Sequence, residues 1–273
     1  MKVAIQGIKG SNHHIVAKHY FEAPISLEEC LSFDSLVDAL IAGRSDIGVM
    51  ALENTIAGSI IPNYALIDAN DLHIVGEYYL NIHHHLMGLE NQDLSDLEEV
   101  LSHPMALLQC KEFFRNHKNI KLVEDVDTAA VAKRISEQQL KNVAAIAPKI
   151  AADIYGLKII EDEIQTIKEN ATRFVIVQTK PSAIKNREIN KATIKFQLDH
   201  KRGSLAAILN VLSDCKMSLT KIQSLPVIET PWKYAFFVDV TFDTLQNYEK
   251  AIAIITIMAE EFKVLGTYKS GRE

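Results

Sequence analysis

Residues Glu169-Asn170-Ala171-Thr172-Arg173-Phe174 run straight into Val175-Ile176-Val177. A polar stretch feeding a β-branched apolar run predicts a loop that enters a buried strand. A hydroxyl and a guanidinium then stand side by side at the strand mouth, where open α/β sheets place their chemistry. Hydroxyls recur where other strands end and helices or loops begin, at Ser11, at Thr55 with Ser59, at Ser102 and at Thr128. Glu53 and Asn54 add a carboxylate and an amide at the end of the apolar run 47–52. Each helix start favours a nearby anion by about 0.3–1 kcal/mol. Several converging on one cleft would hold a small polyanion such as a dicarboxylate.

Other chemistries lack their signatures. There is no GxxxxGK[ST], no GxSxG, no metal-ligand spacing and no Cys/His pair near a strand end. His83-His84-His85 would alternate faces in an extended segment, so only His83 and His85 could share a ligand. They read as core and surface histidines. Gly7-Ile8-Lys9-Gly10-Ser11, between a strand and a helix, offers bare backbone N–H groups as an anion seat. The expectation is metal-free, cofactor-free work on an anionic metabolite, or plain binding of one.

The elements that must position these residues alternate. Strands are expected at 2–6, 47–52, 72–80, at 100–101 ending in Ser102, at 122–123 and at 143–147. Helices follow at 12–21, from Ser35 with Asp38 as its capping partner, at 106–114 behind a Ser102 cap and Pro104, at 129–135, and from Pro148 to Gly156. That rhythm predicts a doubly wound α/β structure. The polar stretch 181–191 reads as a domain boundary. Beyond it, strands at 192–198, 218–227, 232–242 and 263–268 enclose two helical stripes, Leu205 to Leu212 and Leu245 to Phe262. This βαββαβ order is the ferredoxin-like unit.

With 273 residues, roughly two domains are expected. A net charge of −6 argues against nucleic acid or an anionic membrane as partner. Three scattered cysteines without a CxxC pair, and no signal-peptide or membrane-span pattern, predict a cytoplasmic protein with reduced thiols.

Five segments together carry a resemblance: ALENTIAGS (51–59), LSHPMALLQC (101–110), DTAAVAK (127–133), AAIAPKIAADIYGL (144–157) and NATRF (170–174). In this order they resemble prephenate dehydratase. The tail, with Arg202-Gly203-Ser204-Leu205 and Gln223-Ser224-Leu225-Pro226, is similar to that family's ACT regulatory domain. With no chorismate-mutase helix in front, the form resembled is the monofunctional one.

The resemblance implies decarboxylative dehydration of prephenate to phenylpyruvate, on the way to L-phenylalanine. It implies a bilobal, periplasmic-binding-protein-like catalytic domain over 1–180, with lobe one at about 1–75 plus 160–180 and lobe two at about 76–159. An ACT domain at 192–273 would bind L-phenylalanine as allosteric effector and join subunits into a dimer or tetramer. The threonine of TRF, Thr172, would serve the leaving hydroxyl. Arg173 would hold a carboxylate or brace Glu53. Asn54, Thr55, Ser11, Ser102, Thr128 and Phe174 would meet the substrate. Gly203, Ser204, Leu205, Gln223, Ser224, Leu225 and Pro226 would meet the effector. Departures from the pattern are Asn12-His13 for an aromatic and a hydroxyl, Thr55 for serine, Met105 for glutamine, and QSLP at 223–226 for ESRP. A solute-binding protein and an amino-acid-sensing module are the competing readings.

Overall fold

A computed structural model describes residues 1–181, 189–199, 201–227 and 230–272. The expected linker 181–191 falls largely on 182–188, outside the described residues. Along the chain come β1 (Lys2–Gln6), α1 (Asn12–Tyr20), β2 (Ser26–Cys30), α2 (Phe33–Ile41), β3 (Ile47–Asn54), β4 (Gly58–Ser59), α3 (Ile61–Ala69) and β5 (His73–Asn81). Next are β6 (His85–Gly88), β7 (Glu99–Ser102), α4 (Pro104–Cys110), β8 (Lys121–Glu124), α5 (Thr128–Gln138), β9 (Val143–Ala147), α6 (Lys149–Tyr155), β10 (Lys158–Glu161) and β11 (Ala171–Gln178). The chain ends with β12 (Lys191–Gln197), α7 (Ser204–Asp214), β13 (Ser218–Pro226), β14 (Tyr234–Thr241), α8 (Leu245–Met258) and β15 (Glu261–Tyr268). Among the described residues, no helix is long and apolar enough to cross a membrane.

Three sheets organise these elements. The first has the order β2-β1-β3-β11-β5, with β4 beside β3, and the second the order β10-β6-β9-β7-β8. The third is antiparallel, in the order β13-β14-β12-β15. The central strands are apolar runs, as strands covered on both faces must be: Val3, Ala4, Ile5, Val49, Met50 and Leu52 are all buried. Strand β2 escaped the sequence reading because Ser-Leu-Glu-Glu-Cys is a half-exposed edge with no apolar run. Strand β10 pairs with β6 in the second sheet, so residues 160–161, expected with lobe one, lie in that sheet beside 158–159.

Local details also differ. Helix α2 is capped by Ser32, whose partner across the capping box is Ser35, not Asp38. Helix α8 stops at Met258, and Phe262 lies on β15. Compact clustering divides the chain into Met1–Gly58 with Tyr79–Phe174, and Ser59–Tyr78 with Val175–Glu273. Residues 59–75, expected in lobe one, and 76–78, expected in lobe two, thus group with the C-terminal region.

The second unit explains itself through strand alternation. On β12, Ala192, Ile194 and Phe196 face Ile208, Leu212, Ala251 and Ile255 of α7 and α8 in one apolar core. Lys191, Thr193 and Lys195 alternate with them, and residues 59–78 supply partners for two of the three. Lys191 Nζ meets both carboxylate oxygens of Glu77, at 2.9 and 2.8 Å, with both side chains buried. Lys195 Nζ lies 2.7 Å from Asp68, and the Tyr64 ring stands edge-on to Phe237 at 5.5 Å.

Gly266 on β15 backs directly onto Ile74 of β5. A Cβ there would lie 2.0 Å from the Ile74 carbonyl oxygen, which is backbone and cannot swing away. Gly266→Ala should therefore lower the urea midpoint, costing about 1–3 kcal/mol as overpacking does. An unchanged midpoint would show that the two strands separate without cost.

Candidate active site

Asn54, the last residue of β3, organises the strand ends. Its Oδ1 accepts the backbone N–H groups of Ile56 and Ala57 at 2.9 and 2.8 Å. This is the short-range side-chain-to-backbone turn that asparagine favours. The amide orientation is thereby settled, because only the oxygen can accept two N–H groups. Its Nδ2 then donates to Asn170 Oδ1 at 2.6 Å and to Thr172 Oγ1 at 2.9 Å. Thr55 adds two further links to β11, with its N–H donating to the Ala171 carbonyl at 2.9 Å and its Oγ1 accepting the Ala171 N–H at 3.0 Å.

Thr172 is 7% exposed. Since Asn54 fills a lone pair of its oxygen, its own O–H remains to donate elsewhere. Asn170, buried, turns its Nδ2 to Gln109 Oε1 at 2.9 Å. Gln109 is a member of this hydrogen-bond network that the sequence did not single out. The available signal was a lone amide near the end of the otherwise apolar helix α4. It lines a cleft of about 280 Å³ together with Ile56, Met105, Leu108, Lys111 and Arg115. Arg173 is buried on β11 and Glu53 half-buried on β3, and each has an interaction partner.

The other residues expected to meet the substrate have these surroundings. The Asn54 amide is engaged by protein atoms on both sides, so it positions Thr172 and is not a free carboxylate ligand. Ser102 is fully buried at the end of β7 and donates to the Ile146 carbonyl at 2.7 Å. It does not cap α4. The pairing of β7 with β8 runs through Ser102, and His103 caps instead, its Nδ1 accepting the Met105 N–H at 3.3 Å. Thr128 is half-buried in the first turn of α5, behind the true cap Asp127, whose Oδ1 accepts the Ala130 N–H at 2.7 Å. Phe174 is core, its ring edge-on to His13 at 4.9 Å.

Ser11 caps α1, its Oγ accepting the His14 N–H at 3.3 Å. The glycine turn before it is not an open anion seat. Gly10 N–H already donates to His14 Nδ1 at 3.1 Å. Gly7 sits at φ +89°, where a Cβ would come within 2.7 Å of Asp127 Oδ2. A carboxylate therefore presses on the turn, and burial raises its pKa. His83 and His85 do share a face, as expected, but pair with Glu163 at 3.0 Å and with Asp162 respectively.

The expected effector residues fall at two places in the second unit. Gly203 caps α7 at φ +89°, in the left-handed region that favours glycine. Ser204 Oγ donates to the Lys201 carbonyl at 3.0 Å, and Leu205 packs against the α7–α8 core. Gln223, Ser224, Leu225 and Pro226 lie on β13, opposite Phe237, Phe236, Ala235 and Tyr234 of β14.

His13 generates a pH prediction. Burial pushes its pKa down to about 3, and its Nε2 has no hydrogen-bond partner among the described residues. The folded chain thus refuses a proton that the unfolded chain takes near 6.5. Its stability is intact above 6.5 and is lost as pH falls toward 3, by up to about 1.4 kcal/mol per pH unit. His13→Leu should flatten that acid limb in urea titrations between pH 6.5 and 4. A slope equal to wild type would assign the acid sensitivity to other groups.

Comparisons with known proteins agree with this architecture. The family model described as prephenate dehydratase matches residues 3–182. An arogenate dehydratase/prephenate dehydratase of Arabidopsis thaliana is 32% identical over 278 residues, covering 98% of this chain and 72% of that protein. The bifunctional chorismate mutase/prephenate dehydratase of Escherichia coli is 30% identical over 275 residues, covering 98% and 71%. Among solved structures, the prephenate dehydratase of Arthrobacter aurescens in complex with L-Phe superposes with a TM-score of 0.89 at 22% identity, covering 99% and 90%.

Proposed function

The chain belongs to the prephenate dehydratase family, and we propose that Thr172 supplies the hydrogen bond its reaction requires. The reaction is the decarboxylative dehydration of prephenate to phenylpyruvate, a step of L-phenylalanine biosynthesis. Prephenate loses its ring carboxylate as CO₂, and the electron pair left behind expels the ring hydroxyl. With one proton taken up, that hydroxyl departs as water and the ring becomes aromatic. Aromatisation drives the step, so the protein's task is to orient the substrate and stabilise the departing oxygen. One observation carries the assignment: Asn54 donates to Thr172 Oγ1 at 2.9 Å, leaving the threonine O–H free to face the substrate. A threonine hydroxyl is a weak acid, so Thr172 acts as a donor within a relay. The neighbouring Arg173, buried and with a partner of its own, would hold a carboxylate or brace Glu53. Gln109 shares a cleft wall with Lys111 and with the Arg115–Glu112 ion pair.

The two α/β sheets with their helices support a bilobal, periplasmic-binding-protein-like catalytic region. The βαββαβ order and the third sheet support an ACT domain over 192–273. That domain would self-associate and bind L-phenylalanine, the compound bound by the Arthrobacter relative. Free cysteines support a cytoplasmic enzyme.

Purified protein should convert prephenate to phenylpyruvate, followed by its absorbance in alkali. A protein that binds prephenate without converting it would be the solute-binding alternative. Thr172→Val, nearly isosteric, should lower kcat by about 10²-fold or more and leave KM little changed, as loss of a positioned proton donor does. A drop smaller than about tenfold would remove Thr172 from the reacting centre.

Calorimetry should show L-phenylalanine binding to wild type and weakened binding to Gly203→Val, because valine is strained at φ +89°. No heat with wild type at millimolar ligand would leave the C-terminal domain with an assembly role alone.

A further inference from the structure

His84 lies in the link between β5 and β6 with its ring buried. Its Nε2 is 2.8 Å from Gln109 Oε1, the oxygen that also accepts from Asn170. The direction of this bond follows from the other end of the chain of amides. Ile56 and Ala57 N–H groups pin the Asn54 oxygen, so Asn54 must offer its amino group to Asn170. Asn170 must answer with its oxygen and turn its own amino group to Gln109. Gln109 must then present its carbonyl, which cannot donate. The proton in the His84 contact therefore belongs to Nε2.

The His84 backbone is held just as firmly. Its N–H donates to the buried Gln165 Oε1 at 2.9 Å, and its carbonyl accepts the Ile164 N–H at 2.8 Å. Burial lowers the ring's pKa, a trend the Gln109 bond opposes, so the ring stays neutral with one N–H.

We propose that His84 is a positioning residue for the dehydration. Its Nε2–H holds Gln109, and through it Asn170, against the amino group of Asn54, whose orientation the Ile56 and Ala57 N–H groups already settle, and so steadies the Asn54 bond that leaves the Thr172 O–H for substrate. Without that donor Gln109 can rotate about its side-chain bonds, and Asn170 loses the acceptor that fixes it. The change would reach Thr172 across three hydrogen bonds without moving the substrate-binding walls. The inference rests on Thr172 being the donor of the reaction.

The test uses the full-length protein with prephenate, comparing His84→Leu and His84→Gln, each alone and combined with Thr172→Val. Single-turnover measurements serve the slow variants, and thermal unfolding accompanies each. His84→Leu should lower kcat by about tenfold with KM within about threefold, and His84→Gln, which can again aim an N–H at Gln109, should recover most of it. In the Thr172→Val background the same His84→Leu change should cost less than about twofold, since coupled residues are not additive. Equal losses in the two His84 variants, a loss confined to KM, or an undiminished cost beside Thr172→Val would each overturn the proposal and leave His84 as packing. Collapse at Thr172→Val with an unaffected His84→Leu overturns the positioning role alone. Full turnover in Thr172→Val overturns the catalytic reading and the positioning role together.

Discussion

The Asn54 side chain is pinned by two backbone N–H groups, and the polarity of the hydrogen bonds at the ends of β3 and β11 follows from that anchor. A primary amide looks nearly symmetric to its neighbours and can turn over at little cost when nothing distinguishes its ends. Two backbone donors distinguish them here. Each such bond contributes only about 0.5–1.5 kcal/mol net, so the gain lies less in stability than in orientation. Once the amino end is aimed at Asn170 and Thr172, each later partner has a single consistent choice of donor and acceptor. A buried network of this kind tolerates no half measures, because one reversed amide would set two donors face to face in a low-dielectric setting.

Electrostatics around the glycine turn add a second constraint. A turn of bare N–H groups at a helix start attracts anions, yet here Asp127 occupies its flank and Gly10 already donates to His14. Negative charge beside that turn disfavours a second carboxylate there. On the cleft wall Lys111 stands beside the Arg115–Glu112 ion pair, 3.0 Å long, and buried Arg173 has a partner of its own.

In the second unit the dominant constraint is the buried Lys191–Glu77 pair. Taking both charges out of water costs several kcal/mol per ion, and good geometry with added hydrogen bonds is needed to offset it. Glu77 receives both oxygens' worth of contact from Lys191, and the Gly271 N–H at 3.0 Å as well. Such a pair adds little net stability, but breaking it is expensive, so it specifies where residues 59–78 must lie. That specification explains why they cluster with the C-terminal strands although they sit early in the chain.

What the sequence determined by itself was local. Apolar runs announced β1, β3, β9 and β12, glycines and prolines marked α6, and the switch to βαββαβ spacing beyond residue 190 set the second fold apart. Thr172 stood out because a polar tripeptide met a β-branched run. The caps of α2, α4 and α5 were misplaced by one to three residues, since serine, threonine and aspartate are interchangeable as cap signals until the backbone chooses. Only the tertiary structure decided which hydroxyls are buried in the sheet, as Ser102 is against Ile146. It alone joined Asn54 to Asn170, 116 residues away, and through Asn170 to Gln109. Periodicity and capping are carried by residues a few positions apart, and a chain read in one dimension contains them. A hydrogen bond between distant amides depends on how two strands register in a sheet, and no local spacing encodes that.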